Sequence, residues 1–201
     1  MKSIDELLEN QESTVTSNSN IEENTKENTD TPDNAIIESE VAQEITGYSS
    51  DQVIELLKKS LNIHWQQTTS LTAQAIHLER WGYKKLAAII KADAEEEHEH
   101  SAVNLQRLEF FDVDYQPLTV SPQSWARHDM VAMIEYNLNS VREAAAVEKA
   151  TISTARAVGD ELTASIMIPL LQGSENGIRL YESYLKLIEQ MGIDNFLTLQ
   201  V

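Results

Sequence analysis

The chain has 201 residues, no cysteine, and 33 acidic against 15 basic side chains, for a net charge of −18. The missing cysteine removes disulfide frameworks, thiolate nucleophiles and Cys-based zinc or iron–sulfur sites. The charge speaks against a nucleic-acid partner held by phosphate neutralisation, which needs clustered Lys and Arg. No apolar run approaches the length of a membrane span, and the start, Met1-Lys2-Ser3-Ile4-Asp5-Glu6-Leu7, is too acidic for a signal peptide. The expected setting is the cytoplasm, with no membrane partner.

The acid is unevenly spread. Residues 1–50 hold 12 Asp/Glu against Lys2 and Lys26, so this quarter carries −10 of the −18. Residues 11–33 are mostly Ser, Thr, Asn and Glu, and such a segment cannot bury enough apolar surface to offset the entropy of ordering it. Residues 1–48 therefore read as a disordered acidic arm, a solubilising tail by composition. Ile4, Leu7 and Leu8 offer the alternative of a short amphipathic turn that recruits a protein partner.

From residue 49 the pattern becomes helical. Ser49-Ser50-Asp51 is a helix start, and the spacing predicts a first helix to Trp81, stopped by Gly82. Its inward stripe is Leu57, Leu61, His64, Thr68, Leu71, Ala75 and Leu78. A second helix is expected over 83–111, along Leu86, Ile90, Asp93, Glu97, His100, Asn104 and Phe111. A link with Pro117 and Pro122 follows, over 112–124. A third helix over 125–158 carries Ile134, Leu138, Val141, Ala145, Glu148 and Ile152. The fourth, over 160–190, carries Leu162, Ile166, Leu170, Ser174, Gly177, Tyr181, Tyr184 and Ile188 before Gly192 and a short tail. Two helical hairpins joined by one long crossover give an all-α four-helix bundle, and strand patterns are lacking.

Chemistry enters on the second helix. Asp93, Glu97 and His100 stand where a plain bundle would place Leu or Ala, and buried carboxylates are costly unless paired or bound to metal. Glu97-x-x-His100 sets both side chains on one helix face, a spacing used by carboxylate-bridged di-iron bundles. His64 faces them from the first helix, and two imidazoles with one carboxylate suit iron, zinc or manganese. The same run, Glu95-Glu96-Glu97-His98-Glu99-His100, also reads as a solvated charged face. That alternative stays open on pattern alone.

Residues 51–201 resemble bacterioferritin, within the ferritin-like superfamily. Trp81-Gly82-Tyr83-Lys84-Lys85-Leu86 looks like that family's first turn, Glu97-x-x-His100 like its second-helix metal motif, and Leu187 to Leu197 like its closing segment. The resemblance implies a ferritin-like domain over 49–201 with a short C-terminal helix. It also implies an iron-storage cage subunit that oxidises Fe(II), with haem held between paired subunits. Carried over residue by residue, Glu97 and His100 match ligands, Asp93 falls where another acid is frequent, and His98 takes the haem-ligand position. The first-helix glutamate is replaced by His64, the third-helix glutamate maps to about Val141, and the fourth-helix Glu and His map to Ser174 and Gly177. Glu148 and Glu175 lie off the matched positions, and Pro169, Gly173 and Gly177 are expected to weaken the fourth helix there.

The expectation is thus an incomplete di-iron site in a homo-oligomeric cage, or in a mixed cage with an active subunit. A weak ferroxidase with a mononuclear His/Glu/His site and a shell or interaction protein without iron oxidation are the alternatives. A DNA-binding mini-ferritin is disfavoured because the chain has no basic tail.

Overall fold

The computed structural model describes residues 48–113 and 129–201. The expected acidic arm (except Tyr48), residues 114–128 and the expected helix start at 125–128 lie outside the described residues.

Helix α1, Ser50–Trp81, opens on a reciprocal cap. The Ser49 hydroxyl accepts from the Gln52 N–H, and the Gln52 side chain accepts from the Ser49 N–H, so two otherwise orphaned donors are satisfied. It closes at Gly82, whose φ of +93° lies in the left-handed region that favours glycine. Helix α2, Lys84–Phe110, has no side-chain cap at Tyr83. Instead, the Lys85 N–H donates to the Gln200 carbonyl at 3.0 Å and the Lys85 ammonium donates to the Leu199 carbonyl at 3.3 Å. The C-terminal segment thereby satisfies part of the α2 N-terminus.

Helix α3, Met130–Ala157, is capped by Asp129, whose carboxylate accepts from the Ala132 N–H. Helix α4, Glu161–Met191, is capped by Asp160 and followed by the short α5, Ile193–Thr198. α4 runs without a break through Pro169, Gly173 and Gly177, the residues expected to weaken it. Among the described residues, no helix is long and apolar enough to cross a membrane.

α1 packs antiparallel to both α2 and α3. The α2 direction follows from the Gly82 turn. That of α3 follows from Gln74 meeting Asn137 while His64 meets Glu148. The end of α2 and the start of α3 consequently lie at opposite ends of the bundle, which is why their connection must be a crossover rather than a hairpin.

Among the described residues the core forms two large apolar clusters and a small third of Ile63, Ala144 and Val147. One large cluster holds Leu71, Leu78, Leu86, Ile90, Met130, Leu138, Tyr181 and Phe196. The other holds Val53, Leu57, Leu61, Leu108, Ile152, Ala155, Ala164 and Met167. Between them the helices turn polar side chains inward: His64, Gln67, Glu97, His100, Asn104, Glu148 and Ser174 are all buried. Some stripe assignments shift, Thr68 and Leu162 among them. Thr68 is half-buried while Gln67 takes the inward position. Leu162 is 60% exposed, because Thr163 turns inward to bond both Arg107 and Asp160. All six residues of the expected α3 stripe are buried.

Candidate metal centre

At the level between the two apolar clusters, α1 contributes His64 and α2 contributes Glu97 and His100. One ligand-type atom from each of the three lies within 4.8 Å of the others, and all three residues are buried. Glu97 and His100 reach this place because a three-residue step on a helix keeps two side chains on one face. His64 Nδ1 lies 2.5 Å from Glu97 Oε2, and His100 Nδ1 lies 3.5 Å from the same oxygen.

Burial opposes the charged form of His64, but its bonds and charge contacts with Glu148 and Glu97 together prevail and lift its pKa to about 9. Burial likewise pushes Glu97 up, but the bonds and charges of His100 and His64 outweigh it and bring the carboxyl to about 2. These contacts favour the protonated ring of His64, with a glutamate facing each of its nitrogens. Two buried polar atoms of the cluster and its neighbour lack hydrogen-bond partners, His100 Nδ1 and Glu148 Oε2, while His64 Nε2 has the 3.2 Å ion-pair approach of Glu148 Oε1 and no well-directed hydrogen bond. Such orphaned acceptors and donors are uncommon in a native core, and metal ligation would satisfy some of them.

A family model described as "Ferritin-like domain" matches residues 54–191. The chain belongs to the ferritin-like family. That family is associated with iron storage and iron oxidation, and the matched span contains α1 to α4 almost entire. Comparison with curated protein sequences finds no match.

Not every residue expected in the site of this ferritin-like bundle reaches the cluster. Asp93 is only partly buried and accepts a hydrogen bond from the Tyr181 hydroxyl at 2.8 Å. Burial raises its pKa to about 6, partly opposed by that bond and reinforced by Glu96 and Glu97. It lines a 230 Å³ cavity beside the cluster, with Glu96, Glu97, Val141, Gly177 and Tyr181. His98 points away from the cluster. It is exposed and lines a groove of about 1040 Å³ between α1 and α2, with Thr72, Ile76, Lys91 and Glu95.

The positions mapped to the other ferritin-like ligands are accounted for as well. Val141 and Gly177 face each other, since a Cβ on Gly177 would lie 3.2 Å from Val141 Cγ1. Ser174 donates to Glu148 Oε1 at 3.1 Å. Glu175 pairs with Lys149 at the surface. Gly173 has a steric reason: a Cβ there would lie 2.9 Å from His100 Cε1 and 2.7 Å from Glu96 Oε1, so glycine leaves room for the imidazole.

Glu148, expected on the inward α3 stripe, adds a contact to the cluster. Although it lies off the matched positions, it is fully buried and places Oε1 3.2 Å from His64 Nε2. The signal available in the sequence was its place on the α3 core stripe, where an unpaired carboxylate would be costly.

Proposed function

We propose that this protein is a ferritin-like iron-handling subunit whose centre holds one divalent ion through His64, Glu97 and His100, in place of a pair of bridged irons. The observation that carries this reading is the convergence of three buried ligand-type atoms from two helices within 4.8 Å. Two neutral imidazoles and one carboxylate suit iron in a mononuclear site. A bridged pair needs more anionic ligands to neutralise two cations, and Val141, Ser174 and Gly177 supply none. Bound iron would supply one-electron exchange between Fe(II) and Fe(III). The protein's own part is to exclude water with the two flanking apolar clusters and to hold the three ligands on rigid helices.

In this reading the chain is an iron-storage shell subunit, assembled with its own copies or beside a subunit that carries a complete di-iron site. Residues 1–48 form an acidic arm outside the ferritin-like domain of 49–201. Haem is not needed, since His98 shares its groove with charged side chains and lies apart from the cluster.

The test is an anaerobic Fe(II) titration of the purified chain with metal content read by elemental analysis. One ion per chain is expected in the wild type and essentially none in the His64→Ala, Glu97→Ala double variant; equal metal content in the two would refute the site. A second reading is favoured by a specific contact: His64 has a glutamate facing each ring nitrogen, so its protonated ring can stand where a cation would and offset part of their charge without metal. It makes the chain a shell subunit without iron oxidation, and a wild type that binds no ion while keeping its assembled mass would select it.

A further inference from the structure

Glu148 is a glutamate set wholly inside the bundle, outside the three-residue cluster. It is 0% exposed, and among the described residues His64 is its ion-pair partner. Its contacts run in one line: Ser174 Oγ donates to Oε1 at 3.1 Å, and the same oxygen lies 3.2 Å from His64 Nε2. The opposite nitrogen of that ring, Nδ1, faces Glu97 Oε2 at 2.5 Å, and His100 Nδ1 approaches that oxygen from its own helix at 3.5 Å. The imidazole is therefore suspended between two carboxylates, one within the three-residue cluster and one outside it.

A histidine that ligates metal through one nitrogen almost always donates the other N–H to a carboxylate, carbonyl or water, which fixes both tautomer and ring orientation. Resting on the one-ion reading above, we infer that Glu148 is a positioning residue. Its Oε1 already stands 3.2 Å from Nε2, and with an ion bound it accepts the Nε2–H of His64, so that Nδ1 is the nitrogen offered to the ion beside Glu97 and His100. Ser174 acts one step further out, since its hydroxyl steadies the carboxylate that steadies the ring. α3 and α4 thus contribute no ligand to the ion in this arrangement but determine which face of the α1 histidine meets it. Charge also favours the assignment. Glu148 raises the basicity of the ligating ring, and together with Glu97 it offsets the two positive charges of a divalent ion in a site walled by apolar clusters.

The experiment compares the full-length wild type with Glu148→Gln, Glu148→Leu and Ser174→Ala, using Co(II) and Zn(II) as the probes. Co(II) affinity is read by visible absorption in competition with a chromophoric chelator at pH 7. The ring tautomer of His64 is read by ¹H–¹⁵N correlation of the Zn(II)-loaded protein. Expected are one ion per chain in the wild type with His64 protonated at Nε2, and affinity losses of roughly ten- to a hundredfold in Glu148→Leu. Glu148→Gln should lose less, because its amide oxygen still accepts from Nε2–H, and Ser174→Ala should lose only severalfold. Glu148→Leu should also show a mixed tautomer, which a merely structural role would not produce. If Glu148→Leu does not fold, Glu148→Gln and Ser174→Ala decide the question, because both keep the shape of the core. Equal or tighter binding in these variants, with the wild-type tautomer retained, would overturn the role of Glu148 while leaving the metal site intact. A wild type that binds neither ion would overturn the site and the positioning role together.

Discussion

His64 Nδ1 and Glu97 Oε2, 33 residues apart on adjacent helices, meet at 2.5 Å in the middle of the bundle. That contact ties α1 to α2 at the level where neither apolar cluster does so, and it gives the metal-free protein a pH signature. His64 titrates at about 9 in the folded chain against 6.5 unfolded, so its contribution to stability is complete below pH 6.5 and is lost as pH rises through 9. Glu97 titrates at about 2 against 4.5, so its contribution is complete above pH 4.5 and is lost as pH falls through 2. The two describe one interaction and are not additive. In the presence of a chelator, thermal unfolding should weaken between pH 6.5 and 10 by on the order of 5–10 °C. A His64→Gln variant should lack that alkaline decline; the same decline in both proteins would remove the His64 assignment.

Asp93 works in the opposite sense. Its folded pKa of about 6 lies above the 3.8 of the unfolded chain, so its contribution is complete below about pH 4 and is lost as pH rises through 6. At pH 7 its charged form costs stability. Asp93→Asn, which can still accept from Tyr181, should therefore stabilise the protein by about 1–3 kcal/mol at pH 7. The gain should vanish near pH 4. Urea titrations at the two pH values measure this, and an equal effect at both would show that desolvation is not the cause.

Gly173→Ala should reduce metal affinity without breaking the helix. Alanine is the better helix former by about 1 kcal/mol, so a purely helical effect would stabilise the chain. Its Cβ, however, would press on the buried His100 ring at 2.9 Å, whereas the Glu96 carboxylate at 2.7 Å is on an exposed side chain and can swing away. The expected result is Co(II) binding weakened by roughly an order of magnitude, with helical circular dichroism unchanged. Unchanged affinity would mean that His100 does not need its present orientation.

Asp160 carries two separable duties at the start of α4. Its carboxylate caps the helix through the Thr163 N–H and pairs with Arg107 at 2.7 Å, contacts that hold its pKa below the usual carboxylate range despite partial burial. Asp160→Ala should cost about 2–3 kcal/mol and Asp160→Asn about 1 kcal/mol, because asparagine keeps the cap and loses the charge. Chemical denaturation distinguishes them. Equal losses would assign the whole effect to the Arg107 pair.

These residues show what could be read from sequence and what could not. The α1–α2 hairpin was legible because Gly82 marks the turn and Ser49 marks the start, both of them local signals. Glu97 and His100 were legible as a pair because helical period alone puts them on one face, and His64 was legible as a polar break in an apolar stripe. Glu148 was visible only as a stripe position, and its partner was hidden. Which α3 residue stands opposite His64 depends on how far α3 slides along α1, and that slide is set by packing and by the length of the crossover. The position that the family resemblance matches, Val141, lies two turns away and lines the cavity beside Glu97. Leu162 and Thr163 exchanged places for a similar reason. The pull came from Arg107, 56 residues distant, and not from the periodicity of α4.

The placing of the two large apolar clusters has a consequence for how this bundle tolerates change. Each cluster closes like a plug at one end, and the polar waist between them is bounded on both sides by surfaces that hold the helices in place. Substitutions at the waist can thus alter charge, ligand set or ion preference without asking the ends to repack. A scaffold organised this way separates the residues that keep the protein folded from those that give it a task. The second set can be rewritten while the first stays as it is.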